Sequence, residues 1–269
     1  WALADPAAWA YLSPILRDNG GWALFIFTPR GRNHAYKTLL AARKTAGWFA
    51  ETLTADDTKR FTPEDLAEER STLIDIYGED DGESSYQQEY FCSFDAAIIG
   101  AYFNTELAKA EKEGRITDVP YNPDLPVYTA WDIGRSDATA IWFAQQALGG
   151  SLRVIDYYRN VGKDVTHYCE IIRERGYSYA DHIWPHDGGR GDWSTGKTRP
   201  QIAIDHKVTP RILNQEHDVT DGINAARRLL RRSWFDAKRC EEGLEALRSY
   251  RKAWDDKNRC FKDTPLHDW

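Results

Sequence analysis

The chain has 269 residues, a formal net charge of −7, 42% hydrophobic residues and 13% aromatic residues, which is enough for one large domain or two smaller domains with packed cores. The negative charge argues against a globally basic nucleic-acid-binding surface, so any DNA contact has to come from local basic patches. No apolar run approaches the roughly 18–20 residues that a membrane span needs, and the four cysteines lack the CxxC spacing of a zinc knuckle.

The first 126 residues predict a strand, a helix and a linker. Residues 22–28, WALFIFT, form an apolar run typical of a buried strand. Residues 61–78 predict a helix, with Thr62 as its N-cap and a proline at its first position. Residues 78–85, GEDDGESS, are polar and predict a loop. Residues 117–126 contain three prolines, which is typical of a linker or the entry to a new domain.

The remainder of the chain predicts an α/β sheet. Hairpin-linked strands are expected at 127–133, 137–146 and 151–159. Alternating elements then follow: helix 164–175, strand 182–187, helix 199–206, strand 210–213, and helices 219–232 and 241–254. This order is that of an RNase H-like mixed sheet flanked by helices, in which the first and fourth strands lie side by side.

Aspartates at the predicted strand ends are candidate metal ligands. Asp132 ends the first strand, and Asp187 ends the fourth. Carboxylates at adjacent strand ends provide the hard oxygen ligands that Mg²⁺ and Mn²⁺ use in phosphodiester cleavage. Asp137 is either a further metal ligand or a hairpin residue, and Asp268 is the C-terminal acid available as a third catalytic carboxylate. The alternative for each is a turn or helix cap.

Two other functions compete with a metal-dependent nuclease. Residues Gly191–Thr198, GDWSTGKT, match the phosphate-binding pattern G-x-x-x-x-G-K-[ST], but Asp187 and Asp192 place negative charge where a phosphate should lie. Asp132 and Asp187 also begin Asp-x-Gly segments like those of actin-like ATPases, although the chain after Asp187 is short for the second lobe of such proteins. A nucleotide-binding ATPase of either type, and a non-catalytic docking module, are therefore the alternatives.

Basic residues in two segments are candidate DNA contacts. Arg190 and Lys197 lie in the loop after the second aspartate, where they can approach a DNA backbone. Arg227 and Arg231 lie in RRLLRR on a predicted helix, where like charges four residues apart favour an anionic partner. A solvated helix face near its C-terminus explains the second pair equally well.

These segments resemble the large terminase subunit of tailed double-stranded DNA bacteriophages. WDIGRSDATAIWF resembles the family's first nuclease motif, and PHDGGRGDWSTGKT resembles its second. EYFCSFDAAIIGAYF resembles the passage from ATPase to nuclease. FTPRGRN resembles the motif that couples ATP hydrolysis to movement, and it contains Thr28, Pro29 and Arg30.

The resemblance implies a division of the chain and an activity. Residues 1–92 would be the C-terminal remnant of a P-loop packaging ATPase domain including its lid, 93–125 a linker, and 126–269 an RNase H-like nuclease domain. The nuclease would cleave double-stranded DNA concatemers during viral genome packaging. Two Mg²⁺ or Mn²⁺ ions would be its cofactors, with Asp132 and Asp187 as ligands. The family's third acid is not found and is expected beyond Trp269, which weakens the case for Asp268.

The same resemblance implies partners and a location. In the full-length protein ATP would drive the motor, which would form an oligomeric ring on the portal protein of the procapsid. Double-stranded DNA and the small terminase subunit would be the other partners, with no membrane involved. The expected location is the host cell cytoplasm during virion assembly.

Overall fold

The structure is a computed structural model that describes residues 1–94, 100–134, 138–189, 197–215, 218–255 and 260–266. The chain divides into two compact units, Trp1–Asn104 with Arg248–Asp263 and Thr105–Leu247 with Thr264–Trp269. The domain boundaries expected near residues 92 and 126 stay predictions. Within the described ranges, no helix has the length and apolar character that crossing a bilayer requires.

The described residues form helices and strands along most of the chain. The helices are α1 (Ala7–Asp18), α2 (His34–Lys44), α3 (Ala55–Thr58), α4 (Pro63–Tyr77), α5 (Glu79–Phe91), α6 (Asn104–Lys112), α7 (Val165–Arg175), α8 (Arg199–Asp205), α9 (Val219–Leu230) and α10 (Glu241–Ser249). The strands are β1 (Ile116–Thr117), β2 (Val127–Asp132), β3 (Ala138–Gln146), β4 (Leu152–Val161), β5 (Tyr179–Trp184), β6 (Pro210–Ile212), β7 (Ser233–Asp236), β8 (Lys252–Asp255) and β9 (Cys260–Pro265). A 3₁₀ helix spans His186–Gly189.

The helix pair α4–α5 confirms one prediction in the first unit and corrects another. Thr62 caps α4 by accepting a hydrogen bond from the Asp65 backbone N–H, and the Asp65 side chain completes the capping box. The loop predicted at 78–85 is wrong, because α5 begins at Glu79. Gly82 lies against α4, where an added Cβ would be 2.5 Å from the Ile74 Cα. This glycine therefore permits close packing of two helices and does not mark a loop.

The strand predicted at residues 22–28 is also wrong, since this segment forms no β-ladder among the described residues. Its side chains still alternate. Trp22, Leu24 and Ile26 are 81%, 68% and 77% exposed, whereas Phe25 contacts the rings of Trp1, Trp9 and Trp48. A strand needs a neighbouring strand for its backbone N–H and C=O groups, and among the described residues this segment has only isolated contacts such as that of the Trp1 N-terminus with the Ile26 carbonyl.

The second unit is built on a seven-stranded mixed sheet in the order β1-β7-β4-β3-β2-β5-β6. Strands β2, β3 and β4 pair antiparallel, whereas β5 pairs parallel to β2 and β6 parallel to β5. The order β4-β3-β2-β5-β6 with these directions confirms the predicted RNase H-like sheet. Strands β7 and β1 extend the sheet beyond β4 in parallel pairings; β7 was not predicted from the sequence.

The hydrophobic core of the second unit lies on one face of this sheet. Along β2, Val127, Thr129 and Trp131 are buried, whereas Ala130 and Asp132 are exposed, which is the alternation expected of a strand with one buried face. The buried face packs against α7 and α8 in a cluster that includes Ile141, Phe143, Ile155, Tyr168, Cys169, Ile172, Trp184 and Ala203. Asp132 therefore lies on the face away from this core.

A β-bulge at Ile155 sets which side chains of β4 share the face of Asp132. Phe143 pairs with Asp156, but the next residue, Ala144, pairs with Val154, so Ile155 has no partner in β3. One extra residue shifts the register and moves every later side chain to the opposite face.

Helix α10 covers part of the face that carries Asp132. A Cβ added to Gly243 would lie 2.4 Å from Cη2 of Trp142 and 2.8 Å from Cδ2 of Tyr157, so only glycine permits this approach. The helix predicted at 241–254 is too long, because α10 ends at Ser249. In the first unit, the Lys252 N–H donates to the Gly100 carbonyl, and this tertiary pairing overrides helix propensity.

Candidate metal centre

The two candidate aspartates lie at or just beyond the ends of neighbouring parallel strands. Asp132 is the last residue of β2, exposed and paired with Ala140 of β3. The β2–β5 pairing aligns Ala130 with Ile183, so both strands run towards the same edge of the sheet. Asp187 is half-buried and lies in the 3₁₀ helix. The strand predicted at 182–187 ends at Trp184, three residues earlier than expected. The physical reason is Pro185, which has no N–H for a strand ladder.

A glycine contact joins the turn of Asp187 to the residue after Asp132. A Cβ added to Gly188 would lie 3.1 Å from Cδ1 of Ile133 and 3.3 Å from Cε3 of Trp184. The backbone of Gly188 therefore packs directly on these two buried side chains. The residues that follow the two aspartates meet, which brings Asp132 and Asp187 to the same edge.

A buried polar chain supports this edge from the core face. The rings of Trp131 and Trp184 pack with centroids 5.2 Å apart. The Trp131 Nε1–H donates to Thr129 Oγ1 at 2.8 Å, and Thr129 Oγ1 lies 2.8 Å from Nδ1 of His182. Burial lowers the pKa of His182, which favours the neutral ring. These contacts fix the two strands that carry the site.

Charged side chains lie near Tyr157, on the face of the sheet that carries Asp132 and that α10 partly covers. Burial raises the pKa of Tyr157 to about 12, with further upward contributions from Glu242 and Asp132 and a downward one from Arg159. Nη1 of Arg159 lies 3.4 Å from Oε1 of Glu242. Asp132 therefore shares its surroundings with a cation and a second carboxylate, neither of which was predicted from the sequence.

Three of the predicted site residues, Asp137, Arg190 and Asp268, lie outside the described residues. Lys197 Nζ is 2.7 Å from Oδ2 of Asp205. At the end of the segment GDWSTGKT, Thr198 caps α8 by accepting a hydrogen bond from the Gln201 N–H. The roles proposed for Arg190 and Lys197 at a DNA backbone stay predictions.

The two arginines predicted on the helix make contacts within the protein. Arg227 donates to Oδ1 of Asn224 at 3.3 Å. Arg231 lies 3.3 Å from Oε1 of Glu106, whose side chain is 6% exposed. A buried carboxylate beside Arg231 gives this arginine a structural partner, while its own side chain is 66% exposed. DNA binding by this pair stays a prediction.

The residues predicted to couple ATP hydrolysis lie in the first unit. Arg30 pairs with Glu89 at 2.5 Å and donates to the Pro29 carbonyl at 3.0 Å. Pro29 is buried and lines an apolar cavity of about 480 Å³ beside Phe25, Phe27 and Trp48. Thr28 is half-buried. Coupling by these residues stays a prediction.

The donor set fits a hard divalent cation in chemical type. Asp132 and Asp187 offer carboxylate oxygens, which Mg²⁺ and Mn²⁺ prefer. Within the part of the chain that the structure describes, no group of three or more His, Cys, Asp or Glu side chains is placed to hold a metal ion. Of the candidate metal centre, the structure therefore describes two carboxylates, those of Asp132 and Asp187, at one edge of the sheet.

No family model matches the sequence, and no curated protein matches it. Solved structures similar to this chain are large terminases and terminase nuclease domains of several phages. The large terminase of a thermophilic bacteriophage aligns with a TM-score of 0.47 and 16% identity, over 97% of this chain and 63% of that chain. This chain thus spans less than two thirds of that protein.

Two isolated nuclease domains are similar as well. The nuclease domain of the P22 large terminase aligns with a TM-score of 0.42 and 18% identity, over 56% of this chain and 81% of that chain. The nuclease domain of the large terminase of bacteriophage SPP1, a structure with bound Mn, aligns with a TM-score of 0.41 and 14% identity, over 53% and 78% of the two chains.

Proposed function

We propose that the second unit is a metal-dependent endonuclease that cleaves double-stranded DNA, with Asp132 and Asp187 as metal ligands. The observation that supports this proposal is the placement of two carboxylates after adjacent parallel strands of an RNase H-like sheet, joined through the contact of Gly188 with Ile133. A bound Mg²⁺ or Mn²⁺ supplies Lewis-acid activation of water and of phosphate oxygens.

The residues of the chain have separate tasks in this reaction. Asp132 offers its carboxylate from an exposed position on the face of the sheet away from the hydrophobic core, where a DNA backbone would approach. Asp187 holds the second carboxylate on a turn that packs against Ile133. The hydrogen-bonded side chains of Trp131, Thr129 and His182, on the core face of the sheet, keep both strands in place.

The wider role is proposed from the sequence motifs. We propose that the longer protein is the large subunit of a phage terminase, in which this nuclease cuts concatemeric DNA during genome packaging. ATP, the small terminase subunit and the portal protein would belong to that motor, in the host cytoplasm.

The test is nicking and linearisation of supercoiled plasmid with Mn²⁺, for the wild type, Asp132→Asn and Asp187→Asn. Removing a residue that only hydrogen-bonds to a metal ligand already lowers metal affinity or activity about 10–100-fold. We therefore expect the loss of a ligand itself to lower the cleavage rate about 100-fold or more. Asp124→Asn is the matched control, since this exposed acid precedes the opposite end of β2.

Binding is measured separately by thermal unfolding with and without Mn²⁺. A cation that binds only the folded state raises the unfolding midpoint, and we expect that rise in the wild type and in Asp124→Asn but not in Asp132→Asn. Wild-type cleavage in both aspartate variants, with an unchanged response to Mn²⁺, contradicts the proposal.

A further inference from the structure

Arg159 lies in the same row of side chains as Asp132. Strand pairing places Asp132 opposite Ala140, and Ala140 opposite Arg159. Side chains at paired positions of neighbouring strands point to the same face. Two strand spacings separate Asp132 from Arg159, about 10 Å between their Cα atoms. The residue between them in this row is Ala140, whose methyl side chain is short, so the long arginine side chain can extend along the row towards the carboxylate.

Glu242 holds the Arg159 guanidinium on this face. Nη1 of Arg159 lies 3.4 Å from Oε1 of Glu242, and their side chains are 23% and 54% exposed. Glu242 lies in the first turn of α10, beside Gly243, which packs on Trp142 and Tyr157. The helix is therefore anchored where it meets Arg159. The ion pair itself is long and open to solvent, and such pairs contribute little to stability.

A phosphate is the ligand that fits this arrangement. The guanidinium donates through a planar fork that matches two phosphate oxygens. A phosphodiester that approaches Asp132 meets a carboxylate of its own sign, and a fixed cation nearby offsets the repulsion. Glu242 offers that cation a carboxylate oxygen at 3.4 Å, a contact weak enough for exchange with a phosphate.

We propose that Arg159 binds a nonbridging oxygen of the DNA phosphate that lies at Asp132, and that Glu242 holds the guanidinium until the phosphate replaces it. The proposal rests on the proposed nuclease function for the identity of the substrate. Arg159 and Glu242 lie on β4 and α10, two elements that the sequence motifs do not include.

The experiment measures DNA binding and cleavage in the full chain. Binding of a fluorescent duplex of about 30 base pairs, long enough to cover several phosphate contacts, is followed by anisotropy in Ca²⁺ over a series of salt concentrations, and plasmid cleavage is followed in Mn²⁺. The variants are Arg159→Ala, Arg159→Lys and Glu242→Gln. Arg173→Ala is the matched control, because this arginine is 57% exposed on α7, which packs on the opposite face of the sheet.

The expected results separate charge from geometry. Arg159→Ala should reduce the slope of log K against log salt by about 0.9, the effect of one lost phosphate contact. It should lower the cleavage rate about 100-fold, as the loss of one preorganised donor does. Arg159→Lys should keep the salt slope but lower the rate about 10-fold or more, because the fork is lost. Glu242→Gln should tighten DNA binding several-fold, since the competitor loses its charge.

Each further outcome decides between the two proposals. A wild type that cleaves, with Arg159→Ala equal to it in slope and rate, overturns the role of Arg159 and leaves the nuclease standing. A wild type that neither cleaves nor gains thermal stability from Mn²⁺, with a reduced salt slope in Arg159→Ala, supports phosphate binding and contradicts the metal-dependent nuclease. Lower thermal stability in Arg159→Ala and Glu242→Gln, without any change in DNA binding, shows an ion pair with only a structural role and overturns the inference.

Discussion

The contact of Gly188 with Ile133 gives a direct test of how the chain brings its two aspartates together. In Gly188→Ala the new methyl would lie 3.1 Å from Cδ1 of Ile133 and 3.3 Å from Cε3 of Trp184, whereas carbon atoms pack best at about 3.5–4.0 Å. Gly188, Ile133 and Trp184 are buried, so the methyl has no solvent to move into. Overpacking of this kind costs about 1–3 kcal/mol.

The lower half of that range is expected here, because each overlap is only a few tenths of an ångström and Cδ1 is the flexible end of its side chain. For a protein of this size the unfolding midpoint falls by about 2–4 °C for each kcal/mol. The turn that carries Asp187 also moves, so Mn²⁺-dependent cleavage should fall together with stability.

Ile133→Val provides the matched compensation, because it removes the Cδ1 atom that the new methyl meets first. Alone it costs about 0.5–1.5 kcal/mol. Thermal unfolding of the two single variants and the double variant forms a double-mutant cycle, in which touching residues couple by about 0.5–3 kcal/mol. We expect the double variant to lose less stability than the sum and to regain cleavage. Strictly additive losses, with cleavage unchanged in Gly188→Ala, refute the argument.

Two further predictions concern buried groups and pH. Burial raises the pKa of Asp156 above 3.8 despite Arg175 at 2.8 Å, so the free energy of unfolding contributed by this carboxyl falls as pH rises from about 4 through the raised pKa. Asp156→Asn should make the unfolding midpoint less dependent on pH over about pH 4–7. An unchanged pH profile contradicts this. Burial lowers the pKa of His182 below 6.5, so stability is present above about pH 6.5 and is lost as pH falls through the lowered pKa. His182→Asn should remove this acid-side loss between about pH 7.5 and 5, and a variant as acid-sensitive as the wild type argues against a neutral buried ring.

The sheet of the second unit was predictable because its strands carry a local signal. Strand β2, observed at Val127–Asp132, lies where the β-rich apolar run before Asp132 predicts a strand. Segments whose state depends on tertiary contacts were not predictable. The polar run after Gly78 forms a helix because Gly82 fits against Ile74, and residues 22–28 lack a neighbouring strand among the described residues.

The candidate site was partly predictable for a related reason. Asp132 and Asp187 stand at strand ends that the hydrophobic pattern marks. Arg159 was not found, because counting back from the Gly149-Gly150 turn without a bulge pairs Ala140 with Tyr158. The bulge at Ile155 shifts the register by one residue, so Arg159 takes that place on the face of Asp132. Nothing in the local sequence marks this bulge.

The two aspartates are held by different backbone elements, which affects how easily each can move. Asp132 belongs to the β2–β3 ladder, so moving its backbone breaks sheet pairing. Asp187 lies on a single turn closed by the Gly188 N–H and the Pro185 carbonyl at 3.0 Å, beyond the end of β5. The position of the Asp132 carboxylate is thus fixed by sheet pairing, whereas that of Asp187 depends on one turn. A change in the backbone of this turn can therefore move Asp187 without breaking the pairing of β2 with β3.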